Sequence, residues 1–388
     1  MIYSLIIRFR HLFYDKGWIK SSPVGVPSVC VGNLSLGGSG KTPMTELIVR
    51  LLSDGKTEVE KTEKEKYEEA DFGGLFDGIG LFDGHSFGGE MTEGCKPRSL
   101  AVLSRGYRRK SKGFQLVPSD GTSILYGDEP MQIKRKFPDV TVAVDKDRVH
   151  GCSMLKDADF IVLDDAFQHR RIRASKNILL TSYFRPYFED RVLPWGRLRD
   201  LPSRALEADA LILTKCPVML YDEDKTEWAH RFGLDDFDPC TCIGTNARGR
   251  RQYLFFAQTR YDRFQPLFPE GDSHYLYSKS LILVSGIADD VPMVRHLEKE
   301  YRITDHISFP DHHFFTDADI AGISKSADLN CTSIVLTTEK DAQRIRDLPS
   351  SDIPENLKKR MFYAPIKTQL MSQYEQDIFK KFLTCETK

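Results

Sequence analysis

The chain has 388 residues and a formal net charge of −1, with 55 Lys and Arg against 56 Asp and Glu. A chain of this length forms one large and one smaller domain, each with its own core; the balanced charge excludes a global attraction to nucleic acid, so any preference for polyanions is local. Eight cysteines occur without a Cys-x-x-Cys pair, Cys240-Thr-Cys242 being the nearest approach, which implies reduced cytosolic thiols and no zinc site.

At the N-terminus, Ile2, Leu5, Ile6, Phe9, Leu12 and Phe13 recur at helical spacing beside Arg8, Arg10, Lys16 and Lys20. Residues 1–22 therefore read as an amphipathic helix lying in an anionic membrane interface, or as a terminal helix packed on its own domain. No apolar stretch reaches the roughly 18 residues needed to span a bilayer. Next, apolar β-branched runs at 28–33, 100–106, 140–145, 160–165, 177–182 and 210–215 alternate with helical patterns. This predicts an α/β fold with a mostly parallel sheet covered by helices, over residues 23–220. Within it, residues 53–98 pass from a Lys/Glu block to a Gly-rich near-repeat, Gly74-Leu-Phe-Asp-Gly78 and Gly80-Leu-Phe-Asp-Gly84, and are expected to be a flexible insertion dispensable for chemistry. Residues 221–278 read as a connector, with a strand at 252–257. A second, smaller α/β domain is expected over 279–388, with strands at 281–285 and 333–338 and helices at 291–301 and 339–345; the final helix, 373–382, could pack on either domain.

The run Val29-Cys-Val-Gly-Asn-Leu-Ser-Leu-Gly-Gly-Ser-Gly-Lys-Thr-Pro43 is a strand, a Gly-rich turn and a helix start, the pattern of a P-loop. Backbone N–H groups of Ser35, Leu36, Gly37, Gly38, Ser39 and Gly40 would close around phosphates, Lys41 would reach the β- and γ-phosphates, and Thr42 would hold Mg²⁺. Ser35 stands where the usual motif begins with Gly. Such a site takes a further carboxylate from the end of a neighbouring strand, and Phe160-Ile-Val-Leu-Asp-Asp165 supplies Asp164 or Asp165.

Asp164-Asp-Ala-Phe-Gln-His-Arg-Arg171 and the Gly-Asn-Leu-Ser lead into the P-loop resemble the tetraacyldisaccharide 4'-kinase family. Leu103-Ser-Arg-Gly-Tyr107, Gly127-Asp-Glu-Pro130, Asp147-Arg148, Leu193-Pro-Trp-Gly-Arg-Leu-Arg-Asp200, Phe309-Pro-Asp-His-His313 and Thr338-Glu-Lys-Asp341 extend the match in order. The resemblance implies transfer of the ATP γ-phosphoryl group to the 4'-hydroxyl of an acylated glucosamine disaccharide 1-phosphate in lipid A synthesis. ATP and Mg²⁺ would be the cofactors, and the work would be done as a peripheral protein on the cytoplasmic face of the inner membrane of a Gram-negative-type cell. It also implies that Asp128 is the base, that His312 or His313 orients it, and that Arg148 and Arg199 contact phosphate. Glu129 joins Thr42, Asp164 and Asp165 as a candidate metal oxygen. Asp200 and Ala166 depart from the Glu and Gly common in the family.

Two other readings compete. Thr214-Lys-Cys-Pro217 begins like the guanine-reading motif of a GTPase but has Pro217 where that motif needs Asp. A nucleotide-binding membrane scaffold would keep Lys41 and Thr42 yet have no use for Asp128 with a histidine in another domain.

Overall fold

A computed structural model describes residues 2–53 and 99–385; beyond Ser53, the expected insertion lies outside the described residues. The larger of its two main sheets has 11 strands. Across that sheet the order is Leu234–Asp238, Ile243–Asn246, Arg251–Tyr261, Ala210–Thr214, Lys176–Ser182, Ser28–Asn33, Phe160–Asp164, Leu100–Ser104, Thr141–Val144 and Gln115–Leu116. From Arg251–Tyr261 to Thr141–Val144 every neighbouring pair is parallel. Strands covered on both faces need apolar residues at every position. Val29 and Val31 accordingly pack with the helix Lys41–Leu52 on one face, while Cys30, Ile161 and Leu163 point to the other, against Tyr187, Trp228 and Phe232.

The smaller sheet has five strands, ordered Gln265–Pro266, Met361–Ala364, Ile334–Thr338, Ser280–Ser285 and Arg302–Ser308, all parallel except the first pair. Helices Val291–Leu297, Asp317–Leu329 and Glu339–Ile345 bury Met293, Ile320, Ile323, Ala342 and Ile345 against it.

The sheets divide the chain differently from the expected boundaries at 220 and 278. Tyr253, Leu254, Phe255 and Phe256 pair in parallel with Ala210, Leu211, Ile212 and Leu213, so the presumed connector extends the larger sheet. Ile366–Leu370 returns to pair antiparallel with Ala257–Tyr261, and the helix Gln373–Thr384 places Phe379 and Phe382 on Phe255. The larger domain thus closes with the last strand and helix described. The reason is apolar surface: the ring-rich stretch from Tyr253 to Phe256 needs cover that the residues before 220 do not provide.

The N-terminal helix Ile2–Asp15 buries Ile7 and His11 on the larger domain and leaves Leu5, Ile6, Phe9, Leu12 and Phe13 between 41% and 59% exposed. Among the described residues no helix is long and apolar enough to cross a membrane.

Candidate active site

The parallel strands end on one side of the sheet, and polar residues gather there: Asn33, Ser104, Asp164 and Thr214 each close a strand. Carboxyl ends of parallel strands leave backbone groups without ladder partners, and this is where α/β sheets bind ligands. After Asn33 the chain runs antiparallel to residues 197–199, with Leu36 N–H donating to the Arg197 carbonyl and Arg199 N–H to the Leu34 carbonyl, both at 2.8 Å. Gly37 at φ +99° and Gly40 at φ +80° then turn the chain into the helix that begins at Lys41. Side chains rarely adopt these dihedrals, so the loop needs glycine there. The buried Ser39 hydroxyl has no hydrogen-bond partner in this loop. A donor at a helix N-terminus without a partner suits an anionic oxygen.

Lys41 Nζ lies 3.1 Å from Asn33 Oδ1 and 3.8 Å from Asp165 Oδ1. Burial lowers the affinity of its ammonium for the proton, against the pull of Asp165. Arg199 donates from Nη1 to Asp165 Oδ2 at 3.1 Å and from Nη2 to Asn33 Oδ1 at 2.7 Å. Burial would raise the Asp165 pKa, but Lys41 and Arg199 outweigh it and hold the carboxyl below its ordinary value. Asp164 sits deeper, accepting from Thr45 Oγ1 at 3.3 Å and Ser104 Oγ at 3.1 Å. Burial and then the neighbouring charges of Asp165 and Glu129 push it up to about 6.

The second cluster spans the two domains. Gly127, at φ +97°, lies so close to Gly106 that a Cβ would sit 3.2 Å from its Cα, and this contact sets the start of the helix Asp128–Lys136. From the smaller domain, His312 Nδ1 lies 3.2 Å from Asp128 Oδ2, and Arg344 Nε donates to the same oxygen at 3.1 Å. Burial raises the Asp128 pKa, but the bonds from His312 and Arg344 prevail and hold it down at about 2. Arg344 is fixed in turn by Asp341 Oδ1 at 2.9 Å, and Asp341 Oδ2 accepts from Thr338 Oγ1 at 2.6 Å and Gly286 N–H at 2.8 Å. Lys340 Nζ lies 3.3 Å from His312 Nε2 and 3.5 Å from Glu129 Oε1. Glu129 acts on both Lys41 and Asp164, which joins the two clusters electrostatically.

These contacts separate residues that the sequence grouped. His313 faces away: its Nε2 lies 2.9 Å from Asp319 Oδ2 and its ring stacks on Phe309 at 4.5 Å, so it belongs to the second domain's own packing and not to the Asp128 cluster. Arg148 is buried, and its guanidinium donates to the backbone carbonyls of Asp145 and, at 3.1 Å, Asp164. It braces the turn carrying the carboxylates rather than offering a free fork to phosphate. Sequence reasoning gave no role to Asn33, Ser104 and Lys340, which lie inside blocks it singled out, and missed Thr45 and Arg344. Arg344 lies one helical turn beyond Asp341, the end of a block already singled out, and that i+3 spacing was the available signal.

A family model described as Tetraacyldisaccharide-1-P 4'-kinase matches residues 1–60 and 91–384, leaving out part of the expected insertion. The tetraacyldisaccharide 4'-kinase of Parabacteroides distasonis is 38% identical over 382 residues, 94% of this chain and 87% of that one. That of Bacteroides thetaiotaomicron is 32% identical over 400 residues, covering 98% and 90%, and that of Flavobacterium johnsoniae is 34% identical over 380 residues, covering 97% and 92%. The crystal structure of the "apo" form of LpxK from Aquifex aeolicus in complex with ATP shares the fold, with a TM-score of 0.64 at 24% identity over 99% of this chain and 96% of that one. With a P-loop at the strand ends, a full-length family match and relatives above 30% identity across nearly the whole chain, this protein belongs to the tetraacyldisaccharide 4'-kinase family.

Proposed function

We propose that this chain transfers the γ-phosphoryl group of ATP to the 4'-hydroxyl of a tetraacyldisaccharide 1-phosphate in the cleft between its domains. The observation that carries the reading is the convergence of His312 and Arg344 on Asp128, beside a P-loop whose Lys41 lies 3.8 Å from Asp165. Phosphoryl transfer needs positioning and charge neutralisation more than covalent help from the protein. Lys41, Arg199 and the loop N–H groups hold the phosphates, and binding would draw Lys41 and Arg199 away from Asp165. Asp128 accepts the hydroxyl proton as oxygen attacks phosphorus, while His312 and Arg344 keep the carboxylate ionised and aimed. Thr42, Asp164, Asp165 and Glu129 are hard oxygen donors, the donor type that Mg²⁺ takes. Mg²⁺ is commonly held by one or two carboxylates together with substrate phosphates, and it would offset phosphate charge here.

The exposed apolar face of Ile2–Asp15, with Arg8 nearby, supports a peripheral seat in the anionic cytoplasmic leaflet of the inner membrane, where the lipid acceptor lies. The test is transfer of labelled γ-phosphate to a detergent-dispersed tetraacyldisaccharide 1-phosphate. Product should form with the natural chain and vanish with Lys41→Ala, and Asp128→Asn should lose about 10²-fold or more while still binding ATP. Unchanged turnover in Asp128→Asn would remove it as the base.

A further inference from the structure

Away from the reacting groups, three charged side chains meet where both domains and the P-loop helix touch. Lys136 Nζ lies 2.7 Å from Glu46 Oε2 and 2.8 Å from Glu339 Oε1, with side-chain exposures of only 11%, 1% and 7%. The remaining carboxylate oxygens are also occupied: Gln132 Nε2 donates to Glu46 Oε1 at 2.8 Å, and Ile366 N–H donates to Glu339 Oε2 at 3.0 Å. Every residue of this bridge sits on an element that carries an active-site group. Glu46 follows Lys41 and Thr42 on one helix, Lys136 ends the helix that Asp128 begins, and Glu339 begins the helix that carries Lys340 and Arg344. Ile366 opens the strand by which the chain returns to the larger sheet, so Glu339 also grips the inter-domain crossing.

We propose that Lys136 is a positioning residue for phosphoryl transfer, which sets the second domain so that His312 and Arg344 reach Asp128 while the P-loop helix is held in register. Stability alone does not explain such a bridge, because buried ion pairs are often replaceable by apolar residues of similar volume. What apolar contacts do not supply is direction. One ammonium hydrogen-bonded to two carboxylates fixes three helices relative to one another, and reaction rates respond steeply to displacements of about 1 Å.

The inference rests on the proposed reading of Asp128 and His312. Its test compares Lys136→Met with the charge-free Glu46→Gln/Lys136→Met/Glu339→Gln chain, which keeps the volume and strands no buried ion. Single-turnover phosphate transfer, KM for both substrates, ATP affinity and thermal melting are measured on the full chain. Lys136→Met should lower kcat about 100-fold, with ATP affinity within about three-fold of the natural chain, and the charge-free chain should fold and lose as much. In an Asp128→Asn background the same Lys136→Met change should cost less than about three-fold more, since the base that the second domain is positioned to orient is already gone. Natural kcat in the folded charge-free chain would overturn the proposal, and so would an undiminished 100-fold loss on top of Asp128→Asn. If the reading of the base itself is at fault, Asp128→Asn will turn over normally; if only the bridge is at fault, Asp128→Asn will be inactive and the Lys136 variants normal.

Discussion

Arg344 and His312 both bind one oxygen of Asp128, Oδ2, which leaves Oδ1 as the oxygen for an acceptor hydroxyl. The same bonds give Asp128 a pH signature. Its pKa is held at about 2 in the folded chain, against about 3.9 when unfolded. A depressed carboxyl stabilises the fold fully above its unfolded value and loses that contribution as pH falls towards its folded one, a span worth roughly 2.5 kcal/mol here. The stability gap between the natural chain and Asp128→Asn, read from urea unfolding, should be constant from pH 8 to about pH 5 and shrink below about pH 4. For the two histidines, His312→Ala should cut transfer about 10²-fold or more. His313→Ala should leave the rate within a few-fold and lower the melting temperature by about 2 °C, the worth of one hydrogen bond near 1 kcal/mol in a chain of this size. Adjacent residues of one type give a sequence no means of ranking them. The left-handed backbone of His312, at φ +62°, turns the pair in different directions, and no local pattern signals it.

The N-terminal helix packs on its own domain through one stripe and leaves its apolar stripe exposed. Tyr3 Oη donates to the Arg199 carbonyl at 3.2 Å, His11 Nε2 lies 2.6 Å from Asp200 Oδ1, and Arg170 pairs with Asp15 at 2.7 Å, so one stripe docks beside the P-loop. The other stripe stays outside. Period 3.6 announced an amphipathic helix, but it was the apolar stripe that the sequence made conspicuous, while the polar stripe makes the contacts to the protein. Ile6→Asp with Phe9→Asp should reduce co-sedimentation with anionic vesicles about ten-fold or more, given the value of burying two large apolar side chains, and leave the melting temperature unchanged. His11→Ala should do the reverse, lowering the melting temperature by a few degrees. Among strands, the central ones were legible because two-sided burial writes an unbroken apolar run. Leu234–Asp238, Leu-Asp-Asp-Phe-Asp, is an edge strand with mostly exposed side chains and carries no such run.

Across the whole molecule, the second domain is an excursion between Tyr261 and Ile366, whose ends lie paired on neighbouring strands. The sequence showed two series of α/β elements but not that the chain returns. The returning strand, Ile-Lys-Thr-Gln-Leu, is short and half polar, and its partner lies more than 100 residues upstream, beyond the reach of periodicity. The two domains meet again where Ser123 N–H donates to Asp347 Oδ2 at 2.6 Å and Arg135 reaches Asp347 Oδ1 at 3.3 Å. Asp347→Ala removes that attachment and should raise the rate of protease cleavage at the 262–265 crossing, with ATP or without.

That returning strand also imposes an order on biosynthesis. A ribosome delivers the P-loop before the strand Ile366–Leu370 that pairs with Ala257–Tyr261, and Tyr253 and Phe255 lack the Phe382 and Phe379 rings they pack on until the final helix follows. An open edge beside bare aromatic rings is prone to aggregation. A chain stopped after Arg360 should accumulate as insoluble material although it holds the whole nucleotide loop and both Asp128 and His312. Completion of the larger domain waits on residues 366–384, translated long after the P-loop that the domain carries.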